Sequence, residues 1–250
     1  MRRTSITLYS VFLLLLGCSD SVSDEFEAVN GNVEDRRLQS ITVLSAESPD
    51  DNKYFLFTYD SKDRLTSFTD GEETAVLLYD NDQLSSLADS YGSIAVEELY
   101  ASPYDAFNTG QVEEYDNNGN PRILSFLENV YDYDLNTVVQ EQFTLEISYD
   151  NQPNPYYYTL ASAGLIDLLD RIQLNFSMPS QPEELIRARL LFPLNNPSQL
   201  VYKNEAGDIV HTVNVDYNYD GDYPVSASVV ALSPQEGSSA NVTVSFQYAD

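Results

Sequence analysis

The dipeptide Tyr-Asp is the feature that most constrains how this chain folds. It occurs eight times among the 19 tyrosines of a 250-residue sequence, where chance would give about two copies. In five copies an alternating segment runs into Tyr-Asp, a polar turn follows, and Leu or Pro opens the next segment. These copies begin at Tyr59, Tyr79, Tyr115, Tyr149 and Tyr219, and the segment from Tyr202 is a degenerate sixth.

The physical chemistry of the phrase is that of a β-hairpin. Tyrosine suits a half-buried strand, and Asp at the strand end can accept hydrogen bonds from backbone groups further along the turn. Asn and Gly then supply positions that tolerate positive φ. Flanking segments such as 41–44, 141–147 and 242–246 alternate or are β-branched. We therefore predict an all-β fold, an antiparallel meander of about ten to fourteen short strands that forms an open roll or barrel-like sheet.

One segment departs from this pattern. Four apolar residues recur at helical spacing: Leu165, Leu168, Leu169 and Ile172. Ser162 is the predicted N-cap, and residues 175–179 would end the helix. A short amphipathic helix within a meander typically plugs an open end or covers a sheet face, and partner binding is the alternative. We expect residues 38–250 to form a single β-rich domain that includes this helix.

The N-terminus has the organisation of a secretory signal. Two arginines precede an apolar stretch, residues 6–16, which is too short to span the ~30 Å hydrocarbon core of a bilayer. Residues 15–18, Leu-Leu-Gly-Cys, resemble the lipobox of bacterial lipoproteins. The resemblance implies that residues 1–17 are removed as a signal peptide and that Cys18 becomes the acylated first residue of an outer-membrane lipoprotein. The alternative is an ordinary signal peptide with an incidental cysteine.

Residues 18–37 are polar and acidic, and they show no periodicity. This composition predicts a flexible, solvated tether. Its acidity next to Cys18 resembles the export tether of surface lipoproteins in the Bacteroidetes, which implies display on the cell surface. A plain spacer on the periplasmic side is the alternative.

The turns resemble the YD (Rhs-type) repeats of bacterial surface and toxin-shell proteins. The whole region 38–250 resembles a group of Bacteroidetes lipoproteins that carry a domain of unknown function described as porin-like in fold. Residues 154–156, 194–197 and 217–224 carry that resemblance, which implies a fold and no activity. The copies at Tyr59, Tyr79 and Tyr149 lack the turn glycine of YD repeats. Lipid-facing strands of ~9–11 residues need an uninterrupted apolar face, and acids interrupt these segments. We therefore expect a lipid-tethered roll rather than a transmembrane barrel.

Composition excludes several classes of function. The chain has 12 Lys and Arg against 40 Asp and Glu, a formal net charge of −28, which repels nucleic acid. With one histidine, His211, and one cysteine, it lacks the usual nucleophile–base sets and zinc ligands. We predict no catalytic residue, no cofactor and no metal site. The turns at 80–82, 116–120 and 220–222 place oxygen atoms as Ca²⁺ prefers, but hairpin turns require the same residues.

Aromatic residues near predicted loops are the remaining functional signal. Tyr104, Tyr156, Tyr157 and Tyr158 are candidate contacts for a ligand, because exposed rings stack on sugars or peptides; the alternative is that they pack the sheet. We expect a non-enzymatic binding or scaffold module for a glycan or protein partner, attached to the membrane through Cys18. The alternative is a carboxylate-dependent glycan hydrolase, with or without calcium, whose acids lie among the 40.

Overall fold

The chain folds around one antiparallel sheet of 13 strands. The computed structural model describes residues 22–95, 111–132, 135–166, 193–235 and 237–249. The strands are β1 (Leu38–Ser45), β2 (Lys53–Tyr59), β3 (Leu65–Thr69), β4 (Thr74–Asp80), β5 (Gln83–Ala88), β6 (Ser93–Ala95), β7 (Gln111–Tyr115), β8 (Pro121–Asp132), β9 (Thr137–Pro153), β10 (Asn195–Lys203), β11 (Ile209–Asp220), β12 (Tyr223–Ser233) and β13 (Ser238–Tyr248). The helices are α1 (Val22–Asn30), a 3₁₀ turn (Pro49–Asp51) and α2 (Tyr157–Ser162).

Each strand pairs with the next one along the chain, except that β6 does not pair with β7. In addition, β1 pairs with β13. The order is β6 to β1, then β13 down to β7, so that the first strand pairs with the last. Strands β6 and β7 are the two edges of the described sheet, which is therefore open. This arrangement confirms the predicted all-β, antiparallel and open architecture.

The two ends of the sheet differ in character. The turns after Tyr59, Tyr79, Tyr115 and Tyr219 all lie at one end, which we call the closed end because α1 and α2 pack against it. The opposite end, the open end, carries the turns 46–52, 70–73, 89–92 and 204–208, and the connections from β8 to β9 and from β12 to β13 also lie there. The degenerate copy at Tyr202 thus also leads into a turn, but at the open end.

Three of the turns share one geometry: residues 60–64, 116–120 and 204–208. In each, the first residue donates its N–H to the fifth residue's carbonyl, and its side-chain oxygen accepts the fifth residue's N–H, all at 2.8–3.0 Å. The fourth residue has positive φ: 61° at Asp63, 83° at Gly119 and 84° at Gly207. Asp63 therefore takes the place of the missing glycine, since Asp tolerates this region better than most residues.

The Tyr-Asp copy at Tyr79 forms its turn without glycine and with a different geometry. Its turn consists of Asn81 and Asp82, which have φ of 48° and 65°. A two-residue hairpin turn whose central residues both have positive φ matches the twist of the flanking strands. At Tyr79 the lost glycine therefore changes the turn type and leaves the hairpin intact.

At Tyr149 the prediction of a turn directly after Tyr-Asp is wrong. Strand β9 continues to Pro153 because the carboxylate of Asp150 has partners within the sheet. It accepts the N–H groups of Gln152 and Asn196 and the hydroxyl of Tyr219. The aspartate that opens a turn in the other copies here joins β9 to β10 and β11.

The expectation of a flexible tether is wrong for residues 22–30, which form α1. Phe26 is buried, and its ring stacks on Tyr157 with centroids 3.5 Å apart and an interplanar angle of 3°. Gly31 ends the helix at φ 71°, where its N–H donates to Glu27 at 2.8 Å. The acidic segment is helical because its few apolar side chains find partners on the domain.

Helix α2 lies just before the predicted amphipathic helix. Ser162 is the last residue of α2 rather than the N-cap of a following helix, so the N-cap prediction is wrong. Thr159 accepts the N–H of Leu38 at 2.8 Å, and Ala163 packs with Leu65 and Leu77. Residues 165 and 166 are again helical, and the rest of the predicted helix lies outside the described residues.

Burial is concentrated at the closed end. The fully buried side chains there are Tyr223, Phe26, Leu38, Leu194, Asn120, Asn195, Asn196, Thr159, Pro121 and Pro224. Within the described part of the chain, no helix has both the length and the apolar character needed to cross a membrane.

Candidate functional site

Five tyrosine hydroxyls join neighbouring strands at the closed end. Each donates to a carbonyl at or near the start of an adjacent strand, at 2.5–3.1 Å: Tyr59 to Leu38, Tyr79 to Leu65, Tyr149 to Pro121, Tyr217 to Pro197 and Tyr248 to Pro224. Three of these acceptors are the Leu or Pro that ends an earlier Tyr-Asp motif. Each of these three hydroxyls therefore joins its strand to the preceding hairpin. Burial raises the pKa of all five hydroxyls, that of Tyr79 to about 12.

A cavity of about 770 Å³ opens between two walls of the sheet. The first wall comes from β1, β2 and β13, with Ile41, Val43, Phe55, Val244 and Phe246. The second wall comes from β8, β9 and β10, with Leu124, Phe126, Leu145, Ile147, Leu200 and Tyr202. Strands this far apart in the sheet order can line one cavity only because the sheet curves, which places the cavity on its concave side.

Strand alternation explains why the walls are apolar. Side chains two positions apart point to the same face, and directly paired residues share that face. Ile41 pairs with Phe246 on one side and Phe55 on the other. Leu145 pairs with Leu124 and with Tyr202 in the same way. Each wall is thus a cross-strand row of large apolar side chains.

The floor of the cavity lies at the closed end, and its polar groups are already hydrogen-bonded. The amide of Asn154 donates to Pro193 at 2.7 Å, and its oxygen accepts the N–H of Tyr156 at 2.9 Å. The amide of Asn196 donates to Pro153 at 3.2 Å. These contacts leave the floor with little capacity to bind sugar hydroxyls.

A buried amide network holds α1 behind this floor. The side-chain oxygen of Asn195 accepts the amides of Asn118 at 3.0 Å and Asn120 at 2.9 Å. Its own amide donates to Asn30, the last residue of α1, at 3.1 Å. The side-chain oxygen of Asn120 also accepts the N–H of Leu194 at 2.7 Å. The network therefore joins α1, the turn after Tyr115 and the start of β10.

The concave face continues past the cavity toward the open end. A second depression of about 420 Å³ shares Tyr202 with the cavity and is lined by His211 and by small residues such as Ala231 and Ala240. The rings of Tyr202 and His211 meet edge to face, with centroids 6.3 Å apart. Together the two spaces form one trough that is apolar for most of its length.

Two carboxylates lie where the cavity reaches the open end. Glu128 lines the cavity and pairs in register with Glu141 on the neighbouring strand. Within the described chain, neither forms an ion pair or accepts a hydrogen bond. The described Lys and Arg side chains pair with other acids, and the nearby Lys203 pairs with Glu146 at 2.6 Å.

The structure separates the four candidate tyrosines. Tyr156 lines the cavity and stays a candidate ligand contact. Tyr157 and Tyr158 instead pack on Phe26 of α1, and the hydroxyl of Tyr158 donates to Val33. Their place in the helix contact favours the packing alternative for these two residues. Tyr104 and Cys18 lie outside the described residues, so their roles stay predictions.

In two of the turns considered for calcium, a carboxylate is engaged by the protein. Asp116 accepts the backbone N–H groups of Asn118 and Asn120, and Asp82 pairs with Lys62 and Arg64. Among the residues that the structure describes, no group of three or more His, Cys, Asp or Glu side chains comes together as a metal site would require. Hydrogen bonding from Arg64 holds the pKa of Asp60 below its usual range.

Glu128 and Glu141 were not singled out by the sequence analysis, although a signal for Glu141 exists. Residues 141–147 alternate, and that alternation places Glu141 on the same face as Phe143, Leu145 and Ile147. Its pairing with Glu128 depends on the register of β8 and β9, which the sequence does not reveal.

Comparison with known proteins gives only structural likenesses. No family model and no curated protein matches the chain. A porin-like protein from Bacteroides uniformis superposes with a TM-score of 0.36 at 12% identity, covering 85% of this chain and 98% of that one. A porin-like protein from Bacteroides vulgatus gives 0.40 at 12%, covering 86% and 99%. A LolA superfamily protein from Nitrosomonas europaea gives 0.24 at 9%, covering 91% and 89%. These values assign neither a family nor a ligand to the chain.

Proposed function

We propose that this protein is a non-enzymatic binding module of the bacterial cell envelope whose concave face takes a long apolar molecule. The observation that carries the proposal is the cavity of about 770 Å³ between two apolar walls. Its size is within the ~300–1,000 Å³ typical of ligand pockets. The expected partner is thereby narrowed from a glycan or protein to a ligand with a substantial apolar part.

The walls supply the binding energy. Transfer of apolar surface out of water stabilises a complex by about 0.8 kcal/mol per buried methylene. A chain molecule lying between Phe55 and Phe246 on one wall and Ile147 and Leu200 on the other would bury methylenes along its length. The hydrogen bonds that already occupy Asn154 and Asn196 favour such a ligand over a glycan.

The glycan-hydrolase alternative is less well supported by the arrangement of acids at the cavity. A glycosidase places its two carboxyl groups on either side of the scissile bond. Glu128 and Glu141 are direct cross-strand neighbours, so both project from the same face of the sheet. They would contact one side of a bound molecule.

A fluorescence titration tests the proposal. N-phenyl-1-naphthylamine, an uncharged apolar probe, should bind with saturation and be displaced by dodecanol. Leu200→Lys places a charge in the wall and should weaken probe binding about tenfold or more, because an unpaired charge is costly in an apolar site. Val225→Lys is the matched control, since Val225 is exposed and does not line the cavity. Leu200→Trp fills the space without adding a charge. It is a second test of the wall that still applies if the Lys variant fails to fold.

Failure of the probe to bind folded protein would contradict the proposal. A glycan array with product analysis distinguishes the alternatives: retention without turnover would favour a glycan-binding module, and released fragments would favour the hydrolase.

We further propose that the lipobox-like motif attaches this module to the outer membrane through Cys18. Helix α1 begins four residues after Cys18, a span of at most about 14 Å. Because α1 packs at the closed end, an acylated Cys18 would hold that end near the membrane. Mass spectrometry of the native N-terminal peptide should find acyl chains on Cys18, and an unmodified cysteine would overturn the attachment. Protease added to intact cells should degrade the protein if it is displayed on the surface.

A further inference from the structure

We propose that the occupant of the cavity is a cationic amphiphile, with its apolar chain between the walls and its positively charged head against Glu128 and Glu141. This inference rests on the proposed function and adds the charge of the head group to it.

The two carboxylates face each other without compensation. Glu128 is in direct register with Glu141, which sets their Cβ atoms about 4.5–5.5 Å apart. Like charges directly opposite each other destabilise a pair of strands. The register is continuous from Ile123 to Asp132, so no bulge turns either side chain away. A cation between them would offset this repulsion.

The Lys and Arg side chains in the described part of the chain are committed elsewhere. The described Lys and Arg side chains form ion pairs with other carboxylates, in pairs such as Arg64 with Asp60, Arg122 with Glu114 and Lys203 with Glu146. Lys203 lies on β10, next to the strand of Glu141, and Glu146 lies on β9 itself, where alternation places it on the face opposite to that of Glu141. Among the residues that the structure describes, no Lys or Arg therefore neutralises Glu128 and Glu141, and a cationic ligand fits this place.

Aromatic rings continue from the carboxylates into the cavity. Phe126 precedes Glu128 on the same face and lies 6.0 Å from Phe143 and 6.4 Å from Tyr202 between ring centroids. A cation held by carboxylates beside ring faces gains a further attraction. The same rings would contact the first methylenes of the ligand. Its charged head would then lie against the carboxylates and its apolar chain against the apolar walls.

The negative net charge of the whole molecule also favours a cationic ligand. A net charge of −28 raises the local concentration of cations and repels anions. An anionic head group, such as the carboxylate of a fatty acid, would meet this field and two uncompensated acids at the mouth. The cavity should therefore discriminate strongly between chains of equal length that differ only in the charge of the head.

Three ligands of one chain length test the inference. Dodecyltrimethylammonium, dodecanol and dodecanoate are titrated below micelle-forming concentrations against protein loaded with N-phenyl-1-naphthylamine. We expect the ammonium compound to bind about tenfold or more tightly than dodecanoate, with dodecanol between them. Equal binding by all three would overturn the cationic head and leave the proposed function standing. Absence of binding by all three, dodecanol included, would contradict the proposed function itself.

Charge-removing variants locate the effect. In Glu128→Gln with Glu141→Gln, the preference for the ammonium compound over dodecanoate should fall to less than about threefold, while dodecanol binding stays unchanged. The control, Asp216→Asn with Glu205→Gln, removes the same charge from exposed positions that do not line the cavity. This control should keep most of the preference. If both double variants lose it equally, only the overall field acts and the assigned site is wrong.

Discussion

The closed and open ends of the sheet are built from the same strands and yet differ in almost every interaction. In β8, Leu124 near the closed end is 2% exposed, and Tyr131 at the open end is 44% exposed. In β9, the corresponding values are 8% at Leu145 and 58% at Val138. The closed end carries the tyrosine hydrogen bonds, the buried amides and the helices α1 and α2, whereas the open end leads into the trough. The contacts of the closed end stabilise the fold, and the exposed side chains toward the open end remain accessible to a ligand.

The largest expected effect tests whether α1 belongs to the closed end. Phe26→Ala should destabilise the domain by about 3–5 kcal/mol, because it removes a buried ring stacked on Tyr157. Urea unfolding followed by circular dichroism measures the change. Phe68→Ala, at an exposed position toward the open end, is the control and should cost far less. Similar losses in the two variants would abolish the distinction between the ends.

The amide network comes next. Asn195→Ala should cost about 2–3 kcal/mol, since it removes the acceptor that the amides of Asn118 and Asn120 share, and Asn120 keeps only its bond to Asp116 at 3.1 Å. Asn129→Ala, at an exposed residue toward the open end of β8, should be nearly neutral. Chemical denaturation compares the pair, and a neutral Asn195→Ala would show that the network does not hold the closed end.

A tyrosine hydroxyl contributes less. Tyr79→Phe should cost about 1–2 kcal/mol, because the carbonyl of Leu65 loses its donor. Tyr91→Phe, at an exposed turn of the open end, should cost nothing measurable.

The same hydroxyl predicts a dependence on pH. The pKa of Tyr79 is about 12 in the folded chain, above the ordinary value of about 10 in the unfolded chain. The folded state therefore binds this proton more tightly, and the resulting stability is complete below pH 10 and is lost as the pH rises through 12. Unfolding measured across this range should show a smaller decline for Tyr79→Phe; an identical decline would contradict the role of the hydroxyl.

A backbone effect of similar size is expected in a turn of the open end. Gly207→Ala should cost about 1–2 kcal/mol purely through its φ of 84°, since an added Cβ would meet nothing within 4 Å. Gly92→Ala, in another open-end turn with equal space and no positive φ, should be neutral or slightly stabilising. Thermal unfolding of the pair separates backbone strain from packing.

The sequence predicts the turns better than the site because turns are local. A side chain and its own next four residues determine the hairpins after Tyr59, Tyr115 and Tyr219. The continuation of β9 past Tyr149 depends on Tyr219, which is 69 residues away from Asp150. Helix α1 was missed because its acidic sequence becomes helical only with Phe26 packed on Tyr157.

The cavity has the same non-local origin. Its walls face each other only because β1 pairs with β13 and the sheet curves, so that Ile41 and Leu145 line one space. Alternation identifies which residues share a face of one strand. It carries no information on which distant strand lies opposite.

Hydrogen exchange along β9, which runs from the open end to the closed end, tests the central claim most directly. We expect residues 144–149 to exchange more slowly than residues 138–142 in the free protein, because tertiary contacts protect the closed end. On addition of N-phenyl-1-naphthylamine, exchange should slow most at residues 144–149, which include the cavity-lining positions of β9, and in β10, with little further change at residues 138–142. Uniform exchange along β9, or slowing confined to strands outside the cavity such as β4 and β5, would contradict the account.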